Sequence, residues 1–154
     1  MSWLSDEDII RKVSKNGDKK CKEAFYGVYP LDRLPQCTPR LPLFLVVNTH
    51  TANLRGEHWK TIFIDKNRRG EVFDSLSQPM NAMLIRWMNR FTRKWKKNHK
   101  LYQKANSATC GAFALRFILK RLDFPSLDSF TSHSFSPSLS ANEHFIRKFY
   151  KSLK

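Results

Sequence analysis

What the chain lacks narrows its chemistry first. Between Ser75 and Leu122 there is no acidic residue, although Arg86, Arg90, Arg93, Lys94, Lys96, Lys97, Lys100, Lys104, Arg116, Lys120 and Arg121 all fall in that span. Cysteine is scarce: Cys21, Cys37 and Cys110 are an odd number without the paired short spacings that zinc requires. No two histidines sit at ligand spacing on one element, so neither a disulfide framework nor a metal site is expected. There is no apolar leader-like region at the start and no apolar run long enough to cross a bilayer. The expectation is a soluble, intracellular protein with reduced thiols and no membrane partner.

What is present reads as one domain over 1–154, with 41% hydrophobic residues to build a core. The 28 Lys and Arg against 13 Asp and Glu give a net charge of +15. Such a field draws polyanions, nucleic acid above all. Solubility does not demand a single sign over so long a span, and a polyanion-binding face without a sequence-reading motif is expected. Arg86, Arg90, Arg93, Lys94 and Lys97 are its DNA-binding candidates.

Read in order, Ser5 caps a short helix whose first turn carries Asp6, Glu7 and Asp8, and Gly17 stops it. Four prolines between Phe25 and Pro42 predict an extended or turning arm without a regular element. Leu43 to Val47 is an apolar run suited to a strand buried on both faces. Lys60 to Ile64 and Glu71 to Asp74, joined by a short turn, read as antiparallel strands, which brings His58 and Asp74 to the same end. Pro79 opens a helix lined by Leu84, Trp87, Met88, Phe91 and Trp95, with Arg86, Arg90, Arg93 and Lys97 opposite. Lys100 to Gln103 is a short strand candidate, and Cys110 to Leu122 is apolar enough to be the buried central helix. Pro125 to Ser140 reads as irregular, and Ser140 with Glu143 as the capping box of a last helix.

The stretch from Gln103 to Ala114 carries the chemistry. Cys110 stands where a polar loop becomes an apolar helix, and a helix N-terminus favours thiolate over thiol and can hold a developing oxyanion. Gly111 removes a side chain where a substrate carbonyl would approach. Cysteine also fills helices as a small apolar residue, and on this stretch alone both readings stand. A thiolate protease further needs a base, a group that orients it, and oxyanion donors. His58, Asp74 and Gln103 supply those functions, in the chain order His, Asp, Gln, Cys.

Asn48-Thr49, Gly56-Glu57-His58-Trp59 and Gln103 through Asn106-Ser107-Ala108-Thr109-Cys110-Gly111-Ala112-Phe113 resemble the adenovirus-type cysteine proteinases, the adenains. Phe25-Tyr26-Gly27-Val28-Tyr29 is similar to that family's substrate-binding segment, and His58-Trp59 with Val72-Phe73-Asp74-Ser75-Leu76 is similar to the related SUMO-type proteases. The resemblance implies an α+β fold of the papain-like clan in permuted order, with a central helix carrying Cys110 packed on a mixed β-sheet. It implies catalysis by Cys110, His58, Asp74 and Gln103, and cleavage after glycine at Gly-Gly or Gly-X sites. Trp59, Gly27, Asn48, Gly56 and Gly111 become substrate-binding candidates. It further implies maturation of viral precursor proteins in the host nucleus and virion, with DNA as activator. A capsid-derived peptide can act only noncovalently, because no cysteine between Cys37 and Cys110 is available to tether it. No small-molecule cofactor is implied, and a monomer is expected.

Two other readings stay open: a protease that removes SUMO or ubiquitin-like modifiers, and a DNA-binding virion protein whose protease site has decayed.

Overall fold

The computed structural model describes residues 4–37, 40–49 and 58–154. Helices α1 (Asp6–Asn16) and α2 (Lys19–Ala24) lead into β1 (Phe25–Pro30), followed by β2 (Leu43–Asn48), β3 (Trp59–Ile64) and β4 (Arg69–Phe73). Then come α3 (Ala82–Phe91), β5 (Lys94–Lys97), α4 (Cys110–Lys120), α5 (Leu127–Ser134) and α6 (Leu139–Ser152). The strands make one mixed sheet in the order β1-β2-β3-β4-β5. The two outer pairs, β1 with β2 and β4 with β5, are parallel; the two inner pairs are antiparallel. The class is the α+β arrangement expected, with α4 as the central helix.

Strand periodicity sorts the core into two layers. Phe44, Val46, Trp59, Phe63 and Phe73 pack with Phe113 and Phe117 of α4, Phe130 of α5 and Ile146 of α6. Leu45, Val47, Ile62, Ile64 and Val72 face the other way, against Leu84, Trp87, Met88 and Phe91 of α3. β2 is therefore buried on both faces, as its unbroken apolar run requires. Phe73 and Phe117 stack in parallel at 5.1 Å, which seats α4 on the end of β4. The far end of α4 is fastened by Arg121, whose Nε and Nη2 each donate to the Glu71 carboxylate at 2.7 Å. Gly70 is where α3 presses closest: a Cβ there would lie 2.7 Å from both Met88 Cε and Thr92 Cγ2.

Several local expectations are corrected. Phe25 to Pro30 is a strand, because its proline stands last and β1 is an edge strand that does not need that N–H. α3 begins after Asn81, whose side chain accepts from Met83 N, and not at Pro79. It stops at Thr92, whose hydroxyl bonds back to Met88 O at 2.6 Å, so Trp95, Lys94 and Lys97 lie on β5, and Arg93 falls between helix and strand. Lys100 to Gln103 is not a strand; Tyr102 N and Gln103 N both donate to Ser75 O. The Ser- and Pro-rich segment contains α5, capped by Ser126. α6 is capped by Ser138 instead of Ser140, and Glu143 is turned inward.

Candidate active site

The β3–β4 register pairs Thr61 with Phe73 and Ile62 with Val72, so Asp74 falls opposite Lys60 and His58 is its diagonal neighbour on the same side. His58 Nε2 is hydrogen-bonded to Asp74 Oδ1. The backbone of His58 is held from β2, where Thr49 N and Oγ1 both donate to its carbonyl at 2.9 Å. Asp74 is buried and richly bonded: Oδ1 also accepts from Leu76 N at 2.9 Å, and Oδ2 from Gln78 N at 2.8 Å. Its main chain is gripped by Asn98, which accepts from Asp74 N at 2.8 Å and donates to Asp74 O at 2.7 Å. One side chain thus stands in for a missing ladder pair.

Burial opposes the charge on Asp74, but the hydrogen bond and charge of His58, the charge of Lys60 and the Leu76 N–H together hold its pKa below the usual carboxylate value. Burial likewise works against the imidazolium of His58, yet the bonds and charges of Asp74 and Cys110 raise its pKa to about 9. With Nε2 committed to Asp74, Nδ1 is the nitrogen left for sulfur. It has no partner at full hydrogen-bond geometry, while Cys110 acts on the ring closely enough to shift its titration. At neutral pH the ring is an imidazolium between two groups that favour it, the state in which a thiolate is stabilised.

Cys110, 3% exposed, is the first residue of α4, and the buried Gly111 follows it. Thr109 stands at the N-cap but makes no side-chain capping bond. Gln103 is buried with its amide fixed at both ends: Oε1 accepts from Ser75 Oγ at 2.6 Å, and Nε2 donates to Ser107 O at 3.0 Å. An amide nitrogen carries two N–H donors, so the bond to Ser107 engages one of them.

Of the proposed substrate contacts, Trp59 opens β3 and is buried. Asn48, its register partner, ends β2. Gly27 lies at the bulge of β1 with φ +147°, a conformation open mainly to glycine, so backbone geometry alone requires it there. Gly56 lies outside the described residues. The DNA candidates divide: Arg86 and Arg90 are exposed on α3, Arg93 and Lys94 at the corner and start of β5, and Lys97 is half-buried with Nζ on Gln78 O at 3.0 Å. Arg93, Lys94 and Lys97 thus lie at the β5 edge of the sheet and Arg86 and Arg90 on the helix before it, so the five are not one helix stripe. Arg93 N donates to Arg68 O and Arg69 is the register partner of Lys94, so exposed Arg68 and Arg69 join the same edge.

Some groups were invisible in sequence. Lys60, 2% exposed, reaches Asp74 Oδ2 at 3.5 Å and Pro79 O at 3.2 Å. Burial lowers its pKa, with Asp74 opposing. A lysine inside an apolar strand was the available signal. Ser75 adjoins Asp74 and could have been suspected, whereas Asn98 carried no signal and the capping pattern of Glu143 pointed to a different role.

Residues 43–149 match the model of the Ulp1 protease family, C-terminal catalytic domain, which takes in His58, Asp74, Gln103 and Cys110. The chain belongs to the Ulp1 protease family. No curated protein sequence matches it significantly. Among solved structures, the ASFV pS273R protease aligns with TM-score 0.71 at 19% identity, covering 96% of this chain and 66% of that one. A second structure of that viral protease, in selenomethionine form, gives TM-score 0.52 at 26% identity over 69% of this chain and 42% of that one. The central domain of an uncharacterized Legionella pneumophila protein, Lpg1148, gives TM-score 0.51 at 12% identity, covering 99% of this chain and 98% of that one. The chain thus spans between two fifths and two thirds of the viral protease chains it matches. These likenesses show the fold, and the family match places it among the Ulp1-type proteases.

Proposed function

We propose that this Ulp1-family chain is a thiol endopeptidase of adenain type, cleaving after glycine to mature the precursor proteins of a virus or virus-like element. The observation that carries the reading is His58, which is bonded to Asp74 through Nε2, keeps Nδ1 open, and lies close enough to Cys110 for the sulfur to raise its pKa. In the proposed cycle the Cys110 thiolate adds to the substrate carbonyl, and the oxyanion is received by the Gln103 amide and the Cys110 backbone N–H. The His58 imidazolium gives its proton to the leaving amine as the C–N bond breaks, leaving an acyl thioester. Neutral His58 then takes a proton from water as it attacks, and the thioester collapses to carboxylic acid and thiolate.

Glycine specificity, with Trp59 and Gly27 bordering the channel, rests on the adenain-like motifs. The viral setting is supported by the pS273R likeness; the host nucleus and virion as the site of action rest on the adenain resemblance alone. DNA as activator is supported by the basic edge of Arg86, Arg90, Arg93 and Lys94; a capsid-derived peptide bound noncovalently is compatible with it. The test is turnover of a fluorogenic Leu-X-Gly-Gly peptide with and without DNA. Wild-type turnover that disappears in Cys110→Ala, with fold and DNA affinity retained, is expected; turnover that survives this substitution rules the reading out.

A second reading, removal of SUMO or ubiquitin-like modifiers, is favoured by the family match itself. Cleavage that requires a folded ubiquitin-like domain and ignores short glycine peptides would replace the maturation reading with this one.

A further inference from the structure

Glu143 is 7% exposed, and among the described residues no basic side chain pairs with it. An unpaired carboxylate in that setting is expensive unless strong donors surround it. Its donors both come from the loop between Gln103 and Cys110: Thr109 Oγ1, at 2.9 and 3.1 Å from the two carboxylate oxygens, and Lys104 N at 3.2 Å. A hydroxyl has one proton. Because that of Thr109 goes to Glu143, the 2.7 Å contact between Ser107 Oγ and Thr109 Oγ1 must be donated by Ser107. The carbonyl of Ser107 in turn receives the Gln103 amide.

The residue next to Glu143 holds the other end of the same loop. Asn142 Nδ2 donates to Tyr102 O at 3.2 Å and to Ser136 O at 2.9 Å, while its Oδ1 accepts from Ser136 N at 2.8 Å. Two consecutive residues of α6 therefore pin the chain immediately before Gln103 and immediately before Cys110. Thr109 gives up its capping bond to α4 in order to make this connection. An ordinary helix start would have used that hydroxyl on its own N–H groups.

We propose that Glu143, with Asn142, is a positioning residue that sets the separation of the two oxyanion donors, the Gln103 amide and the Cys110 N–H. The inference rests on the protease reading for its catalytic consequence, though not for its structural one. Nothing in it concerns the nucleophilicity of sulfur, and that separates it from general damage to the site.

The experiment compares wild type with Glu143→Ala, Glu143→Gln and Thr109→Val in three measurements. Turnover of the Gly-Gly peptide in Glu143→Ala is expected to lose about tenfold to a hundredfold in kcat, with KM held within about twofold, because oxyanion stabilisation acts in the transition state. Alkylation of Cys110 by iodoacetamide, which forms no oxyanion, is expected to stay within about threefold of wild type. Amide exchange at Lys104–Thr109 is expected to accelerate while the later turns of α4 stay protected. Glu143→Gln, which keeps one acceptor oxygen, should fall between wild type and Glu143→Ala.

Unchanged loop exchange in Glu143→Ala overturns the proposal whether or not the wild type cleaves peptide. Alkylation that falls in step with turnover overturns it as well, by showing loss of the whole site. A wild type that alkylates normally and cleaves nothing defeats the protease reading, and the catalytic role of Glu143 with it.

Discussion

The Ser75 hydroxyl donates to Gln103 Oε1 at 2.6 Å, from the residue directly after Asp74. A single dipeptide at the end of β4 therefore orients both the imidazole and the amide: Asp74 holds His58, and Ser75 turns the Gln103 nitrogen away from itself. A buried hydrogen bond of this kind contributes on the order of 1 kcal/mol, which corresponds to about fivefold in rate if it is felt only in the transition state. Ser75→Ala is expected to lower kcat on a glycine peptide by about that factor, with KM little changed. Steady-state kinetics would show it, and a rise in KM with constant kcat would contradict it.

Asn98 should matter for stability more than for rate. Its amide satisfies both main-chain groups of buried Asp74. Asn98→Ala leaves the two without those partners, and a loss of about 2–4 kcal/mol in urea unfolding is expected. Asn98→Asp keeps the acceptor for Asp74 N but puts a carboxylate against Asp74 O, and should be no better tolerated.

The titration of His58 gives stability a defined pH window. Its folded pKa of about 9 lies above the 6.5 of a free imidazole, so its contribution is complete below about pH 6.5 and lost as pH rises to 9. Asp74 works in the opposite direction: its folded pKa lies under 3.8, so its contribution is present above that value and disappears as pH falls through the folded one. Urea midpoints measured against pH should show a plateau between these limits. His58→Gln should remove the alkaline slope.

Lys60 adds a test of charge. Its ammonium supports ionised Asp74; Asp74, His58, Lys97 and Cys110 are the charged or titratable groups that act on this cluster. Replacing it in Lys60→Met should raise the pKa of Asp74, moving the acid limb of the pH–rate profile upward. A fall in maximal rate with the acid limb unmoved would show that Lys60 only fills space.

The basic edge predicts salt dependence. Arg93→Ala with Lys94→Ala should weaken binding to unrelated DNA duplexes equally and reduce the slope of log K against log salt by about one for each phosphate that is no longer neutralised. Adding Arg68→Ala tests whether the β3–β4 turn shares the surface. Binding that does not respond to salt would assign this edge to another role.

The parts of this fold legible in sequence were those fixed by local pattern. The run Leu43 to Val47 has one good solution, and the short turn from Asp65 to Gly70 leaves His58 and Asp74 little choice but to meet. Errors arose where a local pattern had a tertiary competitor. Trp95 continues the spacing of Leu84, Trp87, Met88 and Phe91, and nothing in that spacing reveals that Thr92 ends the helix by bonding to Met88 O. Ser140 and Glu143 form a sound capping pattern, but Ser138 caps the helix, and Glu143 is drawn to Thr109, which lies far away in the chain. Asn98 was unreadable for the same reason: its role depends on where β5 ends beside β4.

The bracing of the Gln103–Cys110 loop by α6 has a consequence for biosynthesis. A chain emerging from the ribosome acquires His58, Asp74, Gln103 and Cys110 well before Asn142 and Glu143. If Glu143 holds the proposed role, full turnover would have to wait until α6, made after all four of those residues, has docked on the loop.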